Sequence, residues 1–282
     1  MRIAFLLIVG FFVVQVVVGF ATNSLALLSD AGHMATDALG LGMALAAITA
    51  ANNADSTGHR TFGLYRLEIL AALANAILLF AVAIYVLVEA AIRLNEPTEV
   101  QTMPVLVVGV IGLVVNVIAF LMLRDGAQES MNVRGAYLEV VSDMLGSVGV
   151  ILSAIVLQAT GWHWVDPVVG AAIGLFILPR AYRLGRDALR VLVQAAPPQL
   201  DVHDIEHALL ELDKVVGVHD LHVWTLTSEM HVLSAHVQVC DDPAMRSVLP
   251  EAQTMLSERF GLAHSTLQLE VGDDAGCNDL GW

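Results

Sequence analysis

The chain has 282 residues, 57% of them hydrophobic against 15% charged, with a mean hydropathy of +0.72, which is too apolar for an ordinary soluble domain. Its 28 acidic and 13 basic residues give a net charge of -15, so there is no basic face for nucleic acid, and DNA and RNA are excluded as ligands. Residues 192–282 hold 15 Asp or Glu against 3 Lys or Arg, while residues 1–191 hold 13 against 10. An apolar part therefore precedes a strongly acidic tail.

A bilayer core takes about 20 mostly apolar residues per helix. Six such runs occur in order: Ile3 to Ala21, Ser24 to Ala51, Leu67 to Leu94, Met103 to Leu123, Gly135 to Leu157 and His163 to Leu184. The first is read as a span rather than a cleaved leader, because it outruns a signal-peptide h-region of about 7 to 15 residues. With the N-terminus inside, Arg2, Arg60, Arg66, Arg124, Arg134, Arg180, Arg183, Arg186 and Arg190 fall on the cytoplasmic side and Arg93 alone on the other. That asymmetry sets the orientation, and an even number of spans returns the tail to the cytoplasm. Trp162 and Trp164 suit an interfacial belt, Asn75 and Asn116 suit hydrogen bonding between spans, and Gly170 with Gly174 suits close helix packing. Glu89 and Arg93, one turn apart, are expected to pair.

After Pro197-Pro198 the pattern changes. Asp201 caps a helix to Asp213, Val215 to Leu226 and His231 to Cys240 read as strands, Pro243 opens a helix that Gly261 stops, and Ser265 to Val271 reads as a last strand. The order αββαβ predicts a small α+β domain of ferredoxin or metallochaperone type, with helices on one face of the sheet. The expected division is a six-span, all-α membrane bundle over residues 1–190 and a cytoplasmic domain over 191–282. Cys240 and Cys277 are far apart without a C-x-x-C, which fits a reducing, cytosolic tail without a disulfide framework.

Ionisable side chains at membrane depth cost several kcal/mol each and are paired, solvated or functional. In the second run, Asp30, His33 and Asp37 follow i, i+3, i+7 spacing and share one helical face. In the fifth, Glu139 and Asp143 repeat the i, i+4 spacing of His33 and Asp37. One imidazole and three carboxylates from two facing helices match the four-coordinate N/O shell of a divalent transition ion such as zinc. A single such residue is better explained as a hydrogen-bonding partner of a neighbouring helix, but two matched pairs argue for an ion site. Asp30 is open between a gate, a proton carrier and a residue facing a water-filled entrance.

These residues resemble the cation diffusion facilitators, a family of dimeric metal-proton antiporters. The resemblance rests on Asn23 to His33 (NSLALLSDAGH), Phe62-Gly63 followed by Arg66-Leu67-Glu68, Asp143-x-x-Gly146-Ser147-x-Gly149, and Gly217 to Trp224 (GVHDLHVW). It implies that His33, Asp37, Glu139 and Asp143 form the transport site, and that the chain is a homodimer in the inner cell membrane. It implies Zn2+ as the usual substrate, with cadmium, cobalt, nickel, iron or manganese in some members. Zinc carriers that the chain resembles often have His where Glu139 stands, so an altered selectivity is expected. Asp55 and His59 precede Phe62-Gly63 but Leu64 and Tyr65 follow it, so a second membrane-domain site is not expected there. In the tail, the resemblance suggests regulatory metal binding at His219, His236 and Glu270 that joins two protomers; the other tail histidines are read as ordinary surface or strand residues. Cys277 is open between a cap on that site and a free thiol.

The expected activity is therefore export of a divalent cation in exchange for protons. An intramembrane metalloenzyme would need an open ligand position and a separate general base, whereas four ligands close the shell, so no enzymatic activity is expected. A membrane-bound metal sensor or scaffold without transport is the alternative.

Overall fold

The computed structural model describes residues 2–52, 62, 65–123, 131–227 and 230–271, and within its helices some side chains, Asp37 and Glu139 among them, lie outside that description. Asp55, His59 and Cys277 also lie outside the described residues. Six long helices come first: α1 (Arg2–Thr22), α2 (Leu25–Asn52), α3 (Tyr65–Asn95), α4 (Thr102–Leu123), α5 (Met131–Thr160) and α6 (Val165–Leu192). The tail follows as α7 (Val202–Leu210), β1 (Val215–Thr227), β2 (Met230–Val239), α8 (Asp242–Phe260) and β3 (His264–Val271). Packing divides the chain into two compact units, Met1–Ser56 with Ala71–Gly185, and Thr57–Leu70 with Arg186–Trp282.

Among the described residues, Arg66–Asn95, Thr102–Met122, Val140–Thr160 and Val165–Leu192 are long and apolar enough to cross a membrane, and Ile8–Thr22 is a shorter apolar helix. Large apolar side chains stay on the outside of α3 and α4, including Ile77, Ile84, Val88, Val107, Val114 and Leu121. Such a surface is stable against lipid and not against water. Inside, Ala26 and Leu27 of α2, Val105 and Val108 of α4, and Val150 and Ala154 of α5 form one core, with Phe11, Val18, Val169 and Ile173 packed on it. α6 extends past the expected Leu184 to Leu192. Its last turns carry Arg183, Arg186, Asp187 and Arg190, which lower the hydropathy without interrupting the helix.

One end of this unit is tied by buried polar groups. Ser24 is fully buried and caps α2, its Oγ accepting from Leu27 N at 3.2 Å. Asp166, at the start of α6 and also buried, accepts from Ser24 Oγ at 2.6 Å, from Leu25 N at 2.6 Å and from Ala26 N at 3.4 Å. A carboxylate at a helix N-terminus satisfies donors that the helix cannot. Arg93 of α3 donates to the carbonyl of Asn23 and, from Nε, to Glu89 Oε1 at 2.8 Å, which meets the expected pairing. Close approach at this end needs Gly170, where a Cβ would stand 2.9 Å from the carbonyl carbon of Leu25. Asn116 donates to Ser147 Oγ at a long 3.5 Å, whereas Asn75 Oδ1 is buried with no hydrogen-bond partner among the described residues.

In the second unit β1 pairs antiparallel with β2, and β2 pairs parallel with β3. Residues Leu233, Ala235, Val237 and Val239 point to one face of β2 and are buried. Ile205 and Leu209 of α7 and Ala252 and Leu256 of α8 pack on that face with Val223, Leu233 and Ala235. α7 ends at Leu210 rather than Asp213, with Glu211 as its C-cap, and Lys214, in a left-handed conformation at φ 72, precedes β1. The unit also takes in the start of α3, where Thr227 Oγ1 donates to Glu68 Oε2 at 3.0 Å.

Candidate metal-binding sites

Within the membrane unit the expected ligands lie on α2 and α5, which pack directly against each other. His33 is buried, and its Nε2 lies 3.4 Å from Asp143 Oδ1, whose side chain is 12% exposed. Two ligand atoms on one tetrahedral zinc, at metal distances of about 2.0 to 2.1 Å, are separated by roughly 3.3 Å. The observed spacing is compatible with two ligands to one ion. Asp37 and Glu139 stand four residues from His33 and Asp143 on the same two helices; their side chains lie outside the described residues.

Asp30 is buried one turn before His33, and its Oδ2 accepts from Gln15 Nε2 of α1 at 2.7 Å. On its other side a Cβ at Gly146 would stand 2.7 Å from Asp30 Oδ1, so a side chain there would push the carboxylate aside. The carboxylate is thus held between α1 and α5 as a structured group. From α6, Arg180 Nη1 comes to 3.3 Å from His33 Nε2. Neither Gln15 nor Arg180 figures among the residues expected from sequence. Gln15 is a lone amide in an otherwise apolar run, which is a usable signal. Arg180 is absorbed into the positive count on the cytoplasmic side, which masks any inward role.

In the tail, the same pairing that buries odd-numbered residues of β2 turns His236 to the face without helices. His219 pairs with His236 across β1 and β2, and their rings stand 5.1 Å apart. Glu270 of β3 reaches both, with Oε1 2.8 Å from His236 Nδ1 and Oε2 3.5 Å from His219 Nε2. All three expected tail residues therefore meet. Asp220 joins them: ligand atoms of His219, Asp220 and His236 lie within 4.8 Å of one another. It does so through an irregularity between His219 and His222, where Asp220 takes a left-handed φ of 48. Strand alternation alone would send it to the opposite face. An open pocket of about 260 Å³ adjoins the cluster, lined by Asp220, His222, Ser234, His236, Thr266 and Gln268.

Residues 1–193 match the family model of the cation efflux transmembrane domain, and residues 197–271 match that of the cation efflux protein cytoplasmic domain. The chain belongs to the cation diffusion facilitator family. The chain is 47% identical to the metal cation efflux system protein CzcD of Cupriavidus metallidurans, over 96% of this chain and 86% of that protein. It is 41% identical to a cadmium, cobalt and zinc/H(+)-K(+) antiporter of Bacillus velezensis, covering 95% of this chain and 87% of the other. To the zinc transporter ZitB of Escherichia coli it is 38% identical, covering 98% and 90%. A cation diffusion facilitator moves metal cations out across a membrane, and the apolar helices of this member identify it as an integral membrane protein of that kind.

Proposed function

We propose that this protein exports divalent metal ions, zinc foremost, in exchange for protons, with His33, Asp37, Glu139 and Asp143 as the transport site. The observation that carries this reading is the apposition of His33 Nε2 of α2 and Asp143 Oδ1 of α5 at 3.4 Å. Coupling follows from ligand chemistry, because a metal-ligating imidazole must be neutral and a ligating carboxylate ionised, so protons and metal compete for the same atoms. The similarity to proteins named as zinc transporter and as cadmium, cobalt and zinc antiporter supports the substrate class. Three carboxylates to one imidazole make the shell richer in oxygen than a His-dominated one, which widens the range toward cobalt, iron and manganese. Asp30, clasped by Gln15 beside α5, acts as a gate next to the site.

The protein works as a homodimer of six-span protomers in the inner membrane, with both termini cytoplasmic. Its tail, residues 191–282, is a regulatory and dimerisation domain. His219, Asp220, His236 and Glu270 bind metal on the face of the sheet away from the helices, and neutralising this acidic surface lets two tails approach. The sensor without transport gains support only from this cluster, and the membrane pair argues against it.

The test is uptake of zinc, cobalt, cadmium, manganese and iron by proteoliposomes with and without a pH gradient. Gradient-driven zinc movement is expected. Metal binding to the tail with no movement of any metal would replace transport by the sensor reading.

A further inference from the structure

We propose that Arg180 is a tethered cation that competes with the transported metal for His33 and Asp143. The proposal rests on the transport-site reading above and concerns what else that site binds. Arginine has five N–H donors and no acceptor, so at 3.3 Å from His33 Nε2 its guanidinium addresses the ring nitrogen's lone pair. That lone pair is the one a metal takes. Nε2 cannot serve both, and a divalent ion beside Asp143 Oδ1 would also meet the guanidinium charge at close range. Metal entry therefore requires Arg180 to leave, and metal exit lets it return.

Two features of α6 fit this exchange. Arg180 follows Pro179, which lies inside the helix and has no N–H to give to the carbonyl of Leu175. The helix is one hydrogen bond short beside the moving residue. The neighbouring Arg183 instead points Nε at the Pro179 carbonyl, 3.3 Å away, and stays out of the site. Arg180 in place makes the incoming ion displace a charge, which keeps binding weak enough for release.

The experiment is zinc binding to the full-length protein in detergent, measured by competition with a chromophoric chelator. Wild type is compared with Arg180→Met, Arg180→Gln, Arg180→Lys and His33→Ala. The His33-dependent zinc should bind about tenfold tighter in both uncharged variants and near wild type in Arg180→Lys. A residue that merely supported the fold would weaken binding when removed. Unchanged or weaker binding in the monodisperse Met and Gln variants overturns the proposal. If His33→Ala binds as wild type does, the transport-site reading fails first and takes this inference with it.

Discussion

His33 of α2 and Asp143 of α5 meet at 3.4 Å inside the membrane unit although 110 positions separate them in the chain. Burying an imidazole and a carboxylate there is costly unless they serve each other or an ion. Either function depends on both side chains. Asp143→Ala, and likewise Asp37→Ala, is expected to lower zinc transport at least a hundredfold while the protein still elutes as a folded species. Radioactive zinc uptake with size-exclusion chromatography checks this.

In the proposed transport site Glu139 would supply an oxygen where a nitrogen would favour zinc more strongly. Glu139→His should keep zinc transport and reduce cobalt, manganese and iron transport several-fold relative to zinc. Competition between unlabelled metals and labelled zinc measures the range, and an unchanged range would remove Glu139 from the ligand set.

The tail cluster predicts a separate stoichiometry. Replacing His219 and His236 together by alanine should reduce bound zinc by about one ion per chain, since both rings and Glu270 lie in one contact set. Elemental analysis of the purified protein after dialysis against buffered zinc provides the count. The ion bound through His33 should remain.

Asp166 predicts an effect on stability rather than on metal. Its carboxylate takes three hydrogen bonds from Ser24, Leu25 and Ala26. Asp166→Ala leaves those donors buried and is expected to cost about 2 to 4 kcal/mol. Ser24→Ala removes one cap and should cost about 1 kcal/mol. Thermal unfolding in detergent, followed by tryptophan fluorescence, would show the larger fall in midpoint for Asp166→Ala.

Much of this architecture is legible in the sequence because the membrane and the strand impose simple periods. The apolar runs locate the starts of α1 to α4 to within two residues, and Asp201 and Gly261 mark helix ends where they are observed. The His33 and Asp143 pair is legible because charge at membrane depth is expensive enough to stand out. Asp220 is not, since its place beside His219 depends on a backbone irregularity that no alternation pattern encodes. Arg180 is hidden for another reason. A positive residue near the end of an apolar run is explained by topology before its neighbours are known, and only the approach of α6 to α2 brings it to His33. The contact of Thr227 with Glu68 is equally invisible, because it joins positions 159 residues apart by a single hydroxyl.

The most direct measurement is zinc flux into proteoliposomes under an imposed pH gradient for wild type, His33→Ala and Asp143→Ala, with protein orientation and amount matched. Gradient-driven flux in wild type and loss of it in both variants is the predicted result. Flux that persists in either variant would contradict the assignment of His33 and Asp143 to the path of the ion.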